Sequence, residues 1–307
     1  QKLINNNRVK LVGPEDIRTL EVVNYLGMLY TDKKDLKQAK VLYKRALGAY
    51  ERLYGEKHHG TQKIINNLAL LYNSEGNYEQ AELMLKHCLE ACERLFGREN
   101  DVTLAVVNNL GLLYDNKGDL DKAEMFYNLS LKVTKRILGH QHPSTLLRLS
   151  NLAYLYQQKG DLDLAESTFK SCLEIREGLL GDKHPDTLHS MEMLAGLYVQ
   201  KDYSEEADAL YRRILEAYEK VYGSNDKYNL TTIFNLASFY QKEGNYEQAE
   251  ALLRRCLKAE EKLLNKEHPD IMATYDQLAK CLTEMNRHDE AIFLRRKELA
   301  WCRKQKG

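Results

Sequence analysis

Histidine, cysteine and asparagine are the side chains here whose types and spacing could do chemistry. His58, His59, His142, His184 and His268 would be metal ligands if they converged, because a neutral imidazole offers a lone pair to zinc or copper. They are instead spread along the chain, and His142, His184 and His268 directly precede Pro143, Pro185 and Pro269. A proline suits the first turn of a helix, so these histidines end linkers. Cys88 and Cys92 have the i,i+4 spacing that could supply two metal ligands from one helix. No second His/Cys pair lies nearby in sequence. Cys88, Cys172 and Cys256 fall at equal intervals, which is a packing pattern. No metal site and no cofactor are expected. Glycine-rich phosphate loops, HExxH and nucleophile elbows are absent from the sequence, so no catalytic residue is expected either. Asn128-Leu-Ser130 and Asn229-Leu-Thr231 match glycosylation acceptors, but both fall within or beside helical patterns.

The asparagines are harder to dismiss. They come as pairs, Asn66-Asn67 in NNLALLY and Asn108-Asn109 in NNLGLLY. Related heptapeptides start at Asn24, Ser150, Glu192, Phe234 and Asp276. Their leucines, Leu26, Leu68, Leu110, Leu152, Leu194, Leu236 and Leu278, advance by 42 residues (68 − 26 = 42) without insertion or deletion. Ala39, Ala81, Ala123, Ala165, Ala207, Ala249 and Ala291 keep the same step. So do Gly13, Gly55, Gly97, Gly139, Gly181 and Gly223, followed by Asn265 and Gly307. Three locked registers over the whole chain mean a repeat architecture.

Each unit reads as two helices. Between His142 and Gly181, Leu149, Leu152, Ala153 and Tyr156 follow at helical spacing after Pro143. Gly160-Asp161 then breaks the helix, the glycine serving as a left-handed cap. Other units use Gly76, Gly118, Gly244, Asp202 or Asn286 there. A second helix carries Leu162, Ala165, Phe169, Cys172 and Leu173 and ends near Leu180-Gly181. No unit shows β-branched alternation.

Composition agrees. Apolar residues make up 43% of 307, enough for a packed core. Lys+Arg and Asp+Glu are both 45, so no overall basic excess exists to neutralise phosphates, and nucleic acid is not an expected partner. No apolar run approaches the roughly 20 residues that span a bilayer, so no membrane partner is expected. Six scattered cysteines read as reduced buried thiols, which points to a cytoplasmic chain.

These residues resemble the tetratricopeptide repeat. The resemblance rests on Leu68-Ala69 with Tyr72, then Ala81 and Leu85, and on Leu110-Gly111 with Tyr114, then Ala123 and Tyr127. The 42-residue period and the Gly-x-x-His-Pro linkers look like the long-helix subclass of kinesin light chains. Similar arrays stand at the sensor end of STAND-type signalling ATPases. The resemblance implies an all-α, right-handed superhelix (an α-solenoid) of seven helix-turn-helix repeats. Their bounds are about 13–54, 55–96, 97–138, 139–180, 181–222, 223–264 and 265–306, one solenoid domain over 13–307. Residues 1–12 look like the end of a preceding helix, and Gly307 falls on the next linker register, so the natural array is expected to continue in both directions. In the last unit Cys281-Leu282 replaces Leu-Tyr and Arg295 replaces an aromatic or Leu, which suggests a looser hairpin.

In this family first helices line the inner wall. On a helical wheel Leu68, Ala69 and Tyr72 share the core face, while Lys63, Asn66, Asn67 and Leu70 centre on another. The expected groove is Asn24, Lys63, Asn66, Asn67, Leu70, Asn108, Asn109, Leu112, Asn151, Tyr154, His189, Glu192, Phe234 and Asn235. A primary amide has donors and an acceptor, so a row of them can hold a peptide backbone without reading its sequence. The same amides could instead bond to neighbouring helices and fix the stacking; both readings stand at this point. Met28, Leu70, Leu112 and Tyr154, beside Ala105 and Leu147, make an apolar strip, whereas the later units place Gly196, Ser238 and Lys280 in that register. The expected function is a scaffold binding an extended peptide segment of a partner protein. Alternatives are the sensing array of a STAND-type ATPase, with an intramolecular partner domain in a longer parent protein, and a kinesin-light-chain-like cargo adaptor. The family's Hsp70/Hsp90 C-terminal tail binders use a Lys/Arg/Asn clamp. Here Asn24/Met28, Asn66/Leu70 and Asn108/Leu112 occupy its places, so that ligand is not expected.

Overall fold

The computed structural model describes residues 16–223, 226–264 and 268–305. Residues 1–12, Gly13, Asn265 and Gly307, on which the expectations about a preceding helix and a continuing array rest, lie outside the described residues. The described helices are α1 (Ile17–Asp32), α2 (Leu36–Tyr54), α3 (His59–Ser74), α4 (Tyr78–Phe96), α5 (Asp101–Lys117), α6 (Leu120–Leu138) and α7 (Pro143–Lys159). They continue as α8 (Leu162–Leu180), α9 (Pro185–Gln200), α10 (Ser204–Tyr222), α11 (Lys227–Lys242), α12 (Tyr246–Leu263), α13 (Pro269–Glu284) and α14 (His288–Gln305). Among the described residues there is no strand. Seven helix-turn-helix units make an all-α solenoid. The chain divides into two compact units, Gln1–Ala165 and Glu166–Gly307.

The linker histidines have a plain job. His58, His142, His184 and His268 are helix N-caps whose Nδ1 accepts the backbone N–H two residues on, at 3.1, 3.2, 3.2 and 3.2 Å. The exposed donors of a first turn need such an acceptor. Only a neutral imidazole supplies one, and burial, helped by His59, holds His58 below its usual pKa. Asp35, Asn77, Asp119 and Asn245 cap second helices by accepting the N–H three residues on. Left-handed turns join the two helices at Gly76, Gly118, Gly160, Asp202, Gly244 and Asn286, as read from sequence, and also at Lys34, where φ is 59°. Thr61, Thr103 and Thr145 donate to the carbonyls of Gly55, Gly97 and Gly139, each at 2.8 Å, and so fix the linkers.

In the first unit α1, α3, α5 and α7 touch in succession, while α2, α4 and α6 each pack on their own first helix and on the next one. No comparable contact joins α2 to α4 or α4 to α6, so the first helices line the closely spaced, inner face of this unit. One core gathers Leu20, Val23, Ala39, Tyr43 and Tyr50 with Ile64, Leu68 and Leu71 of the following repeat. The next gathers Ala81, Leu85, Cys88 and Cys92 with Leu110, Tyr127, Leu152 and Leu155. In the second unit α11 and α13 touch, and Leu230, Ile233, Cys256 and Ala259 form a further cluster. In α14 Arg295 is partly exposed and pairs with Asp276 and Glu298, so the last hairpin does replace a core side chain by a surface ion pair.

Small residues permit the close approach. A methyl group built on Gly111 would meet the Tyr127 ring at 2.6 Å, and one on Gly27 the Tyr43 ring at 2.5 Å. In the second repeat Ala69 occupies this place and Leu85 replaces the tyrosine, both buried. A second device ties each repeat to its successor. Glu82 bonds Lys86 at 2.7 Å in its own helix, and Tyr114 Oη and Lys117 of the next repeat at 2.8 and 3.1 Å. Glu124 meets Lys159 at 2.6 Å in the same register. The first junction reverses the charges, with Lys40 on Glu75 at 2.5 Å and over the Tyr72 ring. The Lys86 bond, with those of Tyr114 and Lys117, pulls Glu82 from its ordinary 4.5 to about 2 against the opposing effect of burial.

Gly111→Ala should lower stability by about 1–3 kcal/mol through overpacking, and adding Tyr127→Leu should restore much of it. Urea midpoints of both variants test this. A folded pKa below the unfolded one means that Glu82 contributes stability above pH 4.5, lost as pH falls toward 2. Glu82→Gln should therefore flatten the acid side of the thermal-melting profile in that window.

Candidate functional site

The inner face of the first unit carries an amide ladder. Asn67 Nδ2 donates to Asn24 Oδ1 at 2.9 Å, Asn109 Nδ2 to Asn66 Oδ1 at 2.8 Å, and Asn151 Nδ2 to Asn108 Oδ1 at 3.2 Å. Each rung links the second amide of one repeat to the first amide of the repeat before it. Asn24 and Asn108 are buried, 3% and 8% exposed. Of the two readings of the asparagines, stacking is the one these two take: the Oδ1 of each accepts from the following repeat. Asn66, Asn67, Asn109 and Asn151 are half-buried and keep part of each amide at the surface. A half-buried amide is stabilised by pairing because an unpaired one loses its water without compensation. The ladder stops where its residues stop: Ser150 takes the acceptor register and donates to the Leu146 carbonyl at 3.0 Å, and Met193 takes the donor register.

Around the ladder the apolar strip is open. Met28, Leu147 and Tyr154 are 41%, 54% and 49% exposed. Leu70 is half-buried, and Leu112 is partly packed against the core, so these two offer less surface than the sequence suggested. Lys63 is exposed. Tyr25, 64% exposed, was missed. It stands in the register of Asn67 and Asn109, so the repeat alignment could have found it. At the end of these helices Gln158 Nε2 donates to Asp115 Oδ1 at 2.9 Å, and burial raises the Asp115 pKa. A buried cation joins the third and fourth repeats: Arg148 donates to Ser130 Oγ at 2.6 Å, the Ser144 carbonyl at 2.9 Å and Asp101 at 3.2 Å.

The second unit has different chemistry. Glu192, half-buried, accepts from Thr232 Oγ1 at 2.6 Å and lies 3.7 Å from His189, which is exposed. Burial, with the Glu192 charge, pushes Tyr211 up to about 12. Phe234 and Asn235 are half-buried. Burial would raise Asp276, but Lys280 at 2.7 Å and Arg295 outweigh it and hold the carboxyl below its usual value. The structure thus keeps the ten expected residues up to Tyr154 in the first unit and the four from His189 onward in the second.

Cys88 donates to the Gln62 carbonyl at 3.5 Å, and Cys256 to the Leu230 carbonyl at 3.6 Å, while Ser130 in the same register donates to Leu104 at 2.9 Å. This is a shared packing position, as the spacing suggested. No cluster of three or more candidate metal ligands occurs among the described residues. Asn229 is fully buried and donates to the Gly223 carbonyl at 3.1 Å.

The sequence profile of the tetratricopeptide repeat matches residues 17–94, 61–136, 102–177, 145–220 and 228–303. The chain belongs to the tetratricopeptide repeat family. No curated protein sequence matches it. Among solved structures, a Podosopora anserina protein described as a kinesin light chain with nearly identical TPR-like repeats is 26% identical, with a TM-score of 0.60. That likeness covers 67% of this chain and 98% of the other. The quorum sensor NprR from B. thuringiensis, in its apo form, is 16% identical with a TM-score of 0.68, over 92% of this chain and 76% of that one. The STAND protein PH0952 from Pyrococcus horikoshii, with a tetratricopeptide repeat sensor, is 18% identical with a TM-score of 0.66, over 99% of this chain and 48% of that one. The last two likenesses concern the fold alone. No described helix of this tetratricopeptide repeat chain is long and apolar enough to cross a membrane.

Asn109→Ala strands the Asn66 acceptor and should cost about 1 kcal/mol. Asn66→Ala with Asn109→Ala should cost less than the two single changes added together. Urea midpoints of the three variants measure the coupling; strict additivity would mean that the rung contributes nothing.

Proposed function

We propose that the chain is a protein-interaction scaffold, without catalytic activity, that holds an extended peptide segment of a partner protein along the face lined by its first helices. Membership of the tetratricopeptide repeat family supports an interaction role. The observation that carries the finer reading is the exposure of Tyr25, Met28, Leu147 and Tyr154 beside the half-buried amides of Asn66, Asn67, Asn109 and Asn151. Large apolar side chains on a water-facing wall cost solvation, and a ligand side chain that covers them relieves that cost. The amides offer the complementary function, because each retains a donor or acceptor outside its rung for a peptide backbone. In the second unit His189, Glu192, Phe234 and Asn235 favour a polar or basic ligand segment. Modest affinity is expected for any single repeat, with contacts to several repeats adding up. The free cysteines, buried except for Cys302, suit a cytoplasmic setting.

Random peptides of about 15 residues can be selected by display on the purified chain, and the enriched peptides titrated against variants. Tyr154→Ala and Asn151→Ala should each weaken them by on the order of tenfold, one lost anchor or one lost charge-free hydrogen-bonded contact each. Equal affinity for the unaltered chain and for both variants would place binding elsewhere and end this reading.

A further inference from the structure

The second helices of the first unit carry a surface that neither the stacking nor the inner face uses. Val41 on α2, Leu83 on α4 and Met125 on α6 occupy one register in three successive repeats. They are 62%, 69% and 57% exposed, and Leu129, one turn beyond Met125, is 50% exposed. In the next three repeats the register holds Ser167, Ala209 and Ala251. The apolar row is therefore not demanded by the repeat itself: small residues serve the same position in the fourth, fifth and sixth repeats, and Phe293 stands there in the seventh. Burial of the repeat core does not involve it.

Charge distinguishes α2 from α4, α8, α10 and α12, where a cation is set against an acid one turn earlier: Lys86 with Glu82, Arg94 with Glu90, Lys170 with Glu166, Arg212 with Asp208, Arg254 with Glu250. Such pairs stabilise a helix and balance its surface charge. On α2 the residues four before Lys37, Lys44 and Arg45 are Lys33, Lys40 and Val41. On α6, too, no acid lies four residues before Lys132, Lys135 or Arg136. Lys37, Lys44 and Arg45 are exposed and make no ion pair among the described residues, and no acid lies between Asp35 and Glu51. Like charges at this spacing oppose helix formation. The same face bears Val41 between Lys37 and Lys44/Arg45, and the exposed Gly48, with open space above it. The surface combines an unbalanced cationic edge with an apolar row that runs away from it across α4 and α6.

We infer that the outward face of α2, α4 and α6 is a second docking surface, for an acidic amphipathic segment of a partner protein. The carboxylates of that segment meet Lys37, Lys44 and Arg45, and its apolar side chains cover Val41, Leu83 and Met125. Charge complementarity selects this occupant: an uncharged apolar helix would leave the cations unbalanced, and a simple polyanion would leave the apolar row in water. The surface is independent of the inner-face reading, since it shares no residue with it.

The test uses the full chain and a fluorescent helix-forming peptide of roughly 18 residues, with Leu at i, i+3, i+4 and i+7, Glu beside that stripe at positions not four apart, and Ala or Gln elsewhere. Binding is expected, weakening by on the order of tenfold between low and high salt because the charges are surface-exposed. Lys44→Glu with Arg45→Glu should reduce affinity at least about tenfold, and Leu83→Ser with Met125→Ser should do likewise. Tyr154→Ala, on the inner face, should leave this peptide's affinity unchanged while affecting inner-face peptides. All substituted positions are exposed, and circular dichroism verifies folding. A Lys-for-Glu version of the peptide should not bind. No binding of the Glu peptide, or binding insensitive to both surface variants, overturns the proposal. So does retention of phosphatidylserine vesicles or single-stranded DNA in its place, or a dimer of the chain that Leu83→Ser dissolves.

Discussion

A hairpin of two helices with apolar residues on two faces can bury only one of them by itself, and the other must be covered by the next hairpin. The described structure follows from that constraint. Tyr50 on α2 is 4% exposed because α3 lies against it, and Gly60 at the start of α3 is glycine because any Cβ would strike the Tyr50 ring at 2.4 Å. Cores accordingly run from one repeat into the next rather than closing within a hairpin. Stability is then carried by nearest-neighbour junctions, and each junction is specified twice, once by apolar fit and once by polar links.

The polar links differ from junction to junction although the apolar fit is the same. Lys40 faces Glu75, whereas Glu82 faces Lys117 and Glu124 faces Lys159. An amide rung joins each of the first three junctions, and the third adds the buried guanidinium of Arg148. Burial depresses the Arg148 pKa, and Asp101 counters that by favouring the charged form. A repeat with a reversed pair or a missing rung is a poor substitute for its neighbour, so these contacts discriminate among near-identical hairpins as well as holding them.

The two compact units divide the polar chemistry as well. The first spends its amides on stacking and leaves tyrosine, methionine and leucine at the inner surface. The second has Glu192, His189, Asp276 and Lys280 in the corresponding registers. Family membership establishes the architecture and supports an interaction role.

Sequence by itself determined the repeat, its period and its helix ends, because those depend on local rules. Leu26 through Leu278 mark a 42-residue step. The left-handed turns at Gly76, Gly118 and Gly160, and the helix starts at Pro143, Pro185 and Pro269, are written in residues with few backbone choices. Lys34 escaped notice because lysine carries no such signature. The placement of the asparagines on a non-core face was also legible, since 100° per residue is geometry. What the amides do was not. Whether Asn67 meets a peptide or Asn24 depends on the distance between helices 43 positions apart in sequence, set by small-to-large packing such as Gly27 against Tyr43. Tertiary structure also decided that Arg148 is buried, and that Val41, Leu83 and Met125 are left in water. Each of these is a matter of which surfaces come together, and a chain of near-identical hairpins does not declare that until they are stacked.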